Sequence, residues 1–165
     1  VVKATVIHIR HDDLGRVSYP ACPDTSGGRT CNKKLVDAGG GGWQRAVHGI
    51  HVPVYRYMLS CQIADATGSE YITLFDAEAT ALLGIDANAL QQKVAAGGGG
   101  GESMEEVNAY FVAAMYREFH FTTKARMEDR PGAESRVKVT CVKLREIDAA
   151  RESKALLAAV KKFPA

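Results

Sequence analysis

The sequence carries little net charge, few cysteines and no long apolar run, and each shortage removes a class of protein. A formal charge of +2 over 165 residues is small for a nucleic-acid binder, so any basic surface must arise from local clustering. No apolar stretch approaches the roughly eighteen residues that a membrane-spanning helix needs. The first residues, Val1 to Arg10, alternate like a strand instead of building a signal peptide. A soluble intracellular protein with no membrane partner is therefore expected. The four cysteines are unevenly spaced, and two of them, Cys61 and Cys141, sit inside apolar strand patterns. They make no disulfide framework, and reduced thiols are expected. The chain opens without methionine, directly in strand-like sequence, so a domain of something longer is expected.

A hydrophobic content of 46% is enough for the core of one domain. Val2 to Arg10 reads as a strand whose buried face is ambiguous: Val2, Ala4, Val6 and His8 oppose Lys3, Thr5, Ile7 and Ile9. His8 reads as a structural residue. From Tyr55 to Asp65 one face is plainly apolar, with Tyr55, Tyr57, Leu59, Cys61 and Ile63. A turn at Ala66 to Ser69 returns the chain through Tyr71 to Phe75. If Ile72 and Leu74 face inward, Tyr71 and Phe75 stand outside. Asp76 is placed to cap a helix ended by Gly84, and Asp86 to start another running into Val94. The glycine run 97–101 reads as a mobile loop. Ser103 with Glu106 forms a capping box for a helix from Met104 to about Tyr116.

Two further strands follow. Phe119 to Glu128 alternates, with Lys124 and Arg126 on its polar face, and Arg136 to Leu144 carries Arg136 and Lys138 on its own, with a slip of phase near Val142. Asp148 caps a terminal helix whose stripe is Leu156, Leu157, Val160 and Phe163. Such a stripe either packs at home or serves a partner; if exposed, it predicts self-association in isolation. The order of strand, insert, two strands, helices, two strands and helix is that of a mainly β, five-stranded oligonucleotide-binding barrel. Aromatic residues on the third strand and cations on the fourth and fifth then share a purpose. Bases stack on rings while Lys and Arg follow phosphates.

The insert, residues 18–54, has almost no hydrophobic period, so it is either a loop or is held by a metal. Cys22-Pro23 and Cys31-Asn32-Lys33-Lys34 look like half of a zinc ribbon. Cys22, Cys31, His48 and His51 supply four donors, the number that structural Zn2+ requires. These motifs, with Tyr19-Pro20-Ala21, Trp43, Tyr55-Arg56-Tyr57, Thr67-Gly68, Tyr71-Ile72-Thr73-Leu74-Phe75, Leu83-Gly84 and Glu134 to Lys138, resemble the C-terminal domain of the replication protein A large subunit. The similarity runs over essentially the whole chain, and eight residues between the two ribbon cysteines give it a plant-like or algal-like cast.

The resemblance implies an oligonucleotide-binding fold over 1–147 with a zinc-ribbon-like insert at 18–54. It also implies a helix, 148–165, that assembles with the middle and small subunits of a heterotrimer. The implied role is non-catalytic binding of single-stranded DNA in nuclear replication, repair and recombination. Carried residue by residue, the contacts to DNA are Tyr71, Phe75, Lys124, Arg126, Arg136 and Lys138, joined by Lys33 and Lys34, with Thr122 replacing another basic residue. The subunit contacts are Leu156, Leu157, Val160 and Phe163.

One departure stands out. Where the family has Cys-x-x-Cys after the tryptophan, this chain has Arg45 and His48, and the following link is about two residues short. A ribbon with histidine ligands, a ribbon that has lost its metal, and a misread exon boundary all remain open. So do an interaction scaffold with weak DNA contact and a meiotic or telomeric paralogue. A zinc hydrolase built on His8, His48 and His51 lacks any placed carboxylate or nucleophile.

Overall fold

Period-two alternation of apolar side chains builds most of this molecule, and the strands that carry it are long. The computed structural model describes residues 1–26, 28–96, 101–130 and 132–162. In chain order the elements are β1 (Val2–Ile9), β2 (Ser18–Ala21), β3 (Val36–Gly39), β4 (Gly42–Arg45), β5 (Gly49–His51), β6 (Val54–Asp65) and β7 (Gly68–Phe75). Then come α1 (Asp76–Leu83), α2 (Ala87–Ala96), α3 (Gly101–Ala114), β8 (Glu118–Arg130), β9 (Ala133–Glu146) and α4 (Ala149–Val160). The fold is mainly β with four helices, the last of them at the C-terminal end.

The hairpin β6–β7 turns on Asp65, whose carboxylate accepts the N–H groups of Thr67 at 2.7 Å and Gly68 at 3.2 Å. Strand pairing runs β1-β8-β9-β7-β6, and β6 also pairs back with β1. All these pairs are antiparallel except β7–β9, which is parallel and short, with Ile72 opposite Val139 and Thr73 opposite Thr140. β2 adds to the other end of β6. The insert is therefore not a bare loop: its first residues extend the main sheet, and β3, β4 and β5 form a separate three-stranded sheet.

The inner face of β6 behaves as its alternation predicts, burying Tyr57, Leu59, Cys61 and Ile63 against Ile72 and Leu74 of β7. Phe119 and Phe121 of β8, Leu82 of α1, Leu90 of α2, and Val107, Phe111 and Ala114 of α3 complete the core. The ambiguity in β1 has a structural cause. Its register against β6 shifts between Val6 and His8, so Ala4 and Val6 are buried, then Ile9, and His8 turns outward. The phase slip expected near Val142 is present too, as the register shift between Thr122 and Thr123 that leaves Val142 without a partner in β8.

The helix boundaries follow the sequence with specific exceptions. Gly84 ends α1 in the left-handed region at φ 72°, the Asp86 carboxylate accepts the N–H groups of Asn88 and Ala89, and Asp148 accepts from Arg151. Asp76 does not cap α1. Phe75 holds the cap position, and the Asp76 carboxylate instead accepts the Tyr57 N–H at 3.1 Å and pairs with Arg56 at 3.2 Å. Helix α3 begins at Gly101, before Ser103, so the Ser103–Glu106 pair does not open it, and it ends at Ala114, two residues before Tyr116 at φ 61°. Most of the glycine run expected as a loop lies outside the described residues, as does Phe163 of the terminal stripe.

α4 buries none of its described side chains: Leu156, Leu157 and Val160 are 67%, 56% and 57% exposed. Polar contacts hold its first turn. His120 Nε2 lies 2.8 Å from Glu152, which Lys3 also approaches at 3.8 Å.

Tyr57 is fully buried, and its hydroxyl donates to the Ile85 carbonyl at 3.1 Å, stitching β6 to the α1–α2 link. Tyr57→Phe leaves that buried carbonyl without its partner and costs about 1–2 kcal/mol. A urea melt checks this: the midpoint should fall with an unchanged slope.

Candidate functional site

The outward face of the β1-β6-β7 layer is set by cross-strand register. His8 lies opposite Gln62, and Gln62 opposite Tyr71, so these three form one row. Ser60 pairs with Thr73 and Met58 with Phe75, giving parallel rows along the same face. Tyr71 and Phe75 are 38% and 41% exposed, as their positions between inward-facing Ile72 and Leu74 require. The Arg10 guanidinium sits 4.5 Å from the centroid of the Tyr71 ring, and His8 meets that ring edge-on at 6.5 Å. Sequence reasoning missed Arg10 and set His8 aside. The available signal was the row itself, which appears only once β1 is paired with β6.

Strands β8 and β9 bring the expected cations to a second part of this face. Arg126 lies opposite Lys138, Lys124 opposite Thr140, and Glu128 opposite Arg136. Phe75, Lys124, Arg126, Met127, Glu128, Lys138, Thr140 and Val142 line one groove of about 570 Å³. The four cations are not equivalent. Arg136 donates to Glu128 through Nε at 2.9 Å and Nη2 at 2.9 Å, and Lys138 approaches the other carboxylate oxygen at 3.5 Å. The hydrogen bond from Arg136, with the Lys138 charge assisting, holds the Glu128 carboxyl below the usual carboxylate range. Lys124 and Arg126 make no ion pair among the described residues. Lys33 and Lys34 are exposed and lie outside the groove lining.

The third cluster lies in the insert. Backbone bonds fold the cysteine segment on itself: Cys22 N–H donates to Lys33 O at 2.9 Å, Asn32 N–H to Cys22 O at 3.0 Å, and Cys31 N–H to Asp24 O at 2.8 Å. Asn32 takes a positive φ of 51° to make the bend. The β4–β5 turn, with Gly49 at φ 80°, carries His48 back over this segment. The donor atoms of Cys22, Cys31 and His48 lie within 4.8 Å of one another, with Cys22 Sγ 3.3 Å from His48 Nδ1. Sulfur and nitrogen ligands on one tetrahedral zinc stand roughly 3.6 Å apart, so this donor set fits the ion.

His51, the fourth donor expected from the sequence, is not among the atoms that lie within this distance of one another. The reason is extension. His48 lies in the turn, whereas His51 is at the end of β5 opposite Trp43, and a strand advances about 3.3 Å per residue. The His51 ring centroid is 6.4 Å from that of His48, and its buried Nε2 has no hydrogen-bond partner among the described residues. Arg45 Nε is likewise buried and unpartnered.

Residues 1–156 match the family model of the replication factor-A C terminal domain. The chain belongs to this family. The replication factor-A domain here is 32% identical over 169 residues to a replication protein A 70 kDa DNA-binding subunit of Oryza sativa subsp. japonica, covering 99% of this chain and 24% of the rice protein. It is 31% identical to replication factor A protein 1 of Saccharomyces cerevisiae, covering 95% of this chain and 25% of the yeast protein. The domain thus spans about a quarter of the length of these relatives. Among solved structures, it resembles a chain of a replication protein A heterotrimer bound to ssDNA, with TM-score 0.80 and 31% identity over 96% of this chain and 34% of that one. It also resembles a chain of yeast RPA bound to ssDNA, with TM-score 0.79 and 28% identity over 98% of this chain and 84% of that one.

The cysteines of the domain divide by environment. Burial pushes the Cys61 thiol up to about 12 and the Cys141 thiol up to about 11, while Cys31 is partly exposed. Thiolate is the reactive form, so at about pH 8 Cys61 and Cys141 are almost entirely protonated as well as shielded. Labelling of the native protein in the presence of a chelator, read residue by residue by peptide mass spectrometry, should modify Cys31 first and reach Cys61 and Cys141 only after denaturation.

Proposed function

We propose that this chain binds single-stranded DNA and assembles a heterotrimer, as the C-terminal domain of a replication protein A large subunit. It acts in the nucleus, in replication, repair and recombination, by binding and not by catalysis. The observation that carries the reading is the groove in which the exposed ring of Phe75 meets Lys124, Arg126 and Lys138. Bases stack on Tyr71 and Phe75, and phosphates track Lys124, Arg126, Arg136 and Lys138, with Lys33 and Lys34 extending the basic path over the insert. The names of the similar solved structures, both bound to ssDNA and one a heterotrimer, support this assignment.

The ring of pairings β1-β8-β9-β7-β6-β1 supports a five-stranded oligonucleotide-binding barrel over residues 1–147, with the ribbon-like insert at 18–54. Residues 148–165 then form the assembly helix. The exposed stripe of Leu156, Leu157 and Val160 is the surface that the middle and small subunits cover, with Phe163 beyond the described residues as its continuation.

Cys22, Cys31 and His48 would hold zinc in the insert, with His51 the nearest further imidazole able to complete the set. Zinc there supplies a structural crosslink and no reaction chemistry.

Stacking is tested with a fluorescent oligonucleotide. Tyr71→Ala and Phe75→Ala should each weaken binding by about 1–3 kcal/mol, with little dependence on base sequence. Unchanged affinity in the double variant would sink the groove as a stacking surface and favour an interaction scaffold.

Metal content after dialysis at neutral pH tests the insert. About one zinc per chain is expected, falling to near zero in Cys22→Ser. A protein purified in zinc yet free of it would mean that the ribbon stands without metal.

A further inference from the structure

The groove proposed for DNA already contains an anion. Glu128 stands on the same face as the cations and is gripped by two of them, Arg136 through both Nε and Nη2 and Lys138 through Nζ. Two N–H groups of the guanidinium converge on one carboxylate oxygen, Oε2, while the Lys138 ammonium approaches the other, so both oxygens of the anion are engaged as those of a phosphate would be. Lys124 and Arg126, further along the same face of β8, have no such partner among the described residues. Two populations of positive charge therefore meet at one groove: Lys124 and Arg126 are available, while Lys138 and, outside the lining, Arg136 are engaged by Glu128.

From this, and resting on the single-stranded DNA reading above, we infer that Glu128 is an internal competitor for the DNA backbone: it occupies Arg136 and Lys138 in the free protein and must surrender them to phosphates on binding. The exchange replaces one anion with another around the same cations. Binding then gains little from Arg136 and Lys138 at any salt concentration, because their release of counterions has been made in advance by Glu128. The exchange tunes affinity downward while keeping all four cations on the β8–β9 face to guide the strand. Suppressing the electrostatic term in this way also leaves base stacking on Phe75, at the other wall, as the larger share of what holds DNA.

The depressed titration of the Glu128 carboxyl agrees with a committed ion pair, although the geometry alone carries the inference. The half-exposed position of Glu128 makes it accessible to exchange, since its side chain is 35% exposed and those of Arg136 and Lys138 are 55% and 40% exposed.

The test is oligonucleotide binding by the 165-residue chain as a function of salt, comparing wild type with Glu128→Gln, which keeps side-chain shape and removes the charge. With both cations freed, the slope of log K against log salt should steepen by about 0.7 for each new phosphate contact, thus by up to about 1.4. Affinity at low salt should rise several-fold. Glu128→Ala must show the same steepening, which covers the case of a glutamine that perturbs the groove. A simple charge effect is separated by Asp129→Asn, on the adjacent residue, whose carboxylate accepts from the Ser135 hydroxyl and holds no cation among the described residues. Equal changes in Glu128→Gln and Asp129→Asn would overturn the competitor. So would wild-type slope and affinity in Glu128→Gln while wild type itself binds, and in that case the DNA-binding reading survives. If neither wild type nor Glu128→Gln binds, both readings fall together.

Discussion

The alternation along β6 is the constraint on which the rest of the molecule depends. This one strand pairs with β1, β2 and β7, and its inner face supplies four consecutive alternate residues of the core, Tyr57, Leu59, Cys61 and Ile63. A slip of one residue would bury Met58, Ser60 and Gln62 and expel the core side chains, so register is fixed by burial over its whole length. The outward face inherits that precision without contributing to it. Gln62 aligns His8 with Tyr71, and Met58 aligns with Phe75, because the other side of the strand has nowhere else to go. Stability thereby pre-positions a surface whose own residues are solvent-exposed, which is how a rigid binding face arises from residues that bury little.

The same logic fails to hold the insert. The strands β3, β4 and β5 contain no buried residue, and Val36, Ile50 and Val52 are 66%, 73% and 86% exposed. A sheet with no apolar interior needs another source of cohesion. Burial in the insert lies in β2, at Ser18, Pro20 and Ala21, and at Cys22 and Leu35 beside the converging donors, not in the three-stranded sheet. A crosslink at the donors, as proposed, is therefore a source of cohesion that this sheet lacks otherwise.

Much of the fold was legible because it is local or strictly periodic. The faces of β6 to β9, the left-handed stop at Gly84, and the caps at Asp86 and Asp148 need only a few residues of context. What escaped depends on distant partners. Asp76 has the sequence position of a cap, but the Tyr57 N–H, nineteen residues earlier in the chain, takes its carboxylate. The bulge in β1 exists only against β6, so neither the burial of Ile9 nor the outward turn of His8 can be read from the strand alone. On β8 and β9, Lys124, Arg126, Arg136 and Lys138 fall on polar faces as expected. Glu128 belonged to the same alternation, yet its effect on two of the cations required the β8–β9 register. The donors show the same dependence: Cys22, Cys31 and His48 converge, while the distance of His51 from them follows from its place at the end of β5, which the spacing alone does not reveal.

The second half of the insert makes a coherent physical problem. Arg45 cannot ligate a cation, and a guanidinium held close to zinc would repel it. Arg45 Nε and His51 Nε2 are both buried without partners, on the two strands that flank the His48 turn. Buried polar atoms without partners each cost about 1–3 kcal/mol, and a small sheet with no apolar core has little with which to offset two of them. Rotation of His51 toward the donors would remove one of these costs by giving Nε2 a partner, and would complete a two-cysteine, two-histidine set. Arg45 has no corresponding escape through the metal and would need an anion to satisfy it. The cost at His51 is thus one that a bound metal would remove, and the cost at Arg45 is one that it would not.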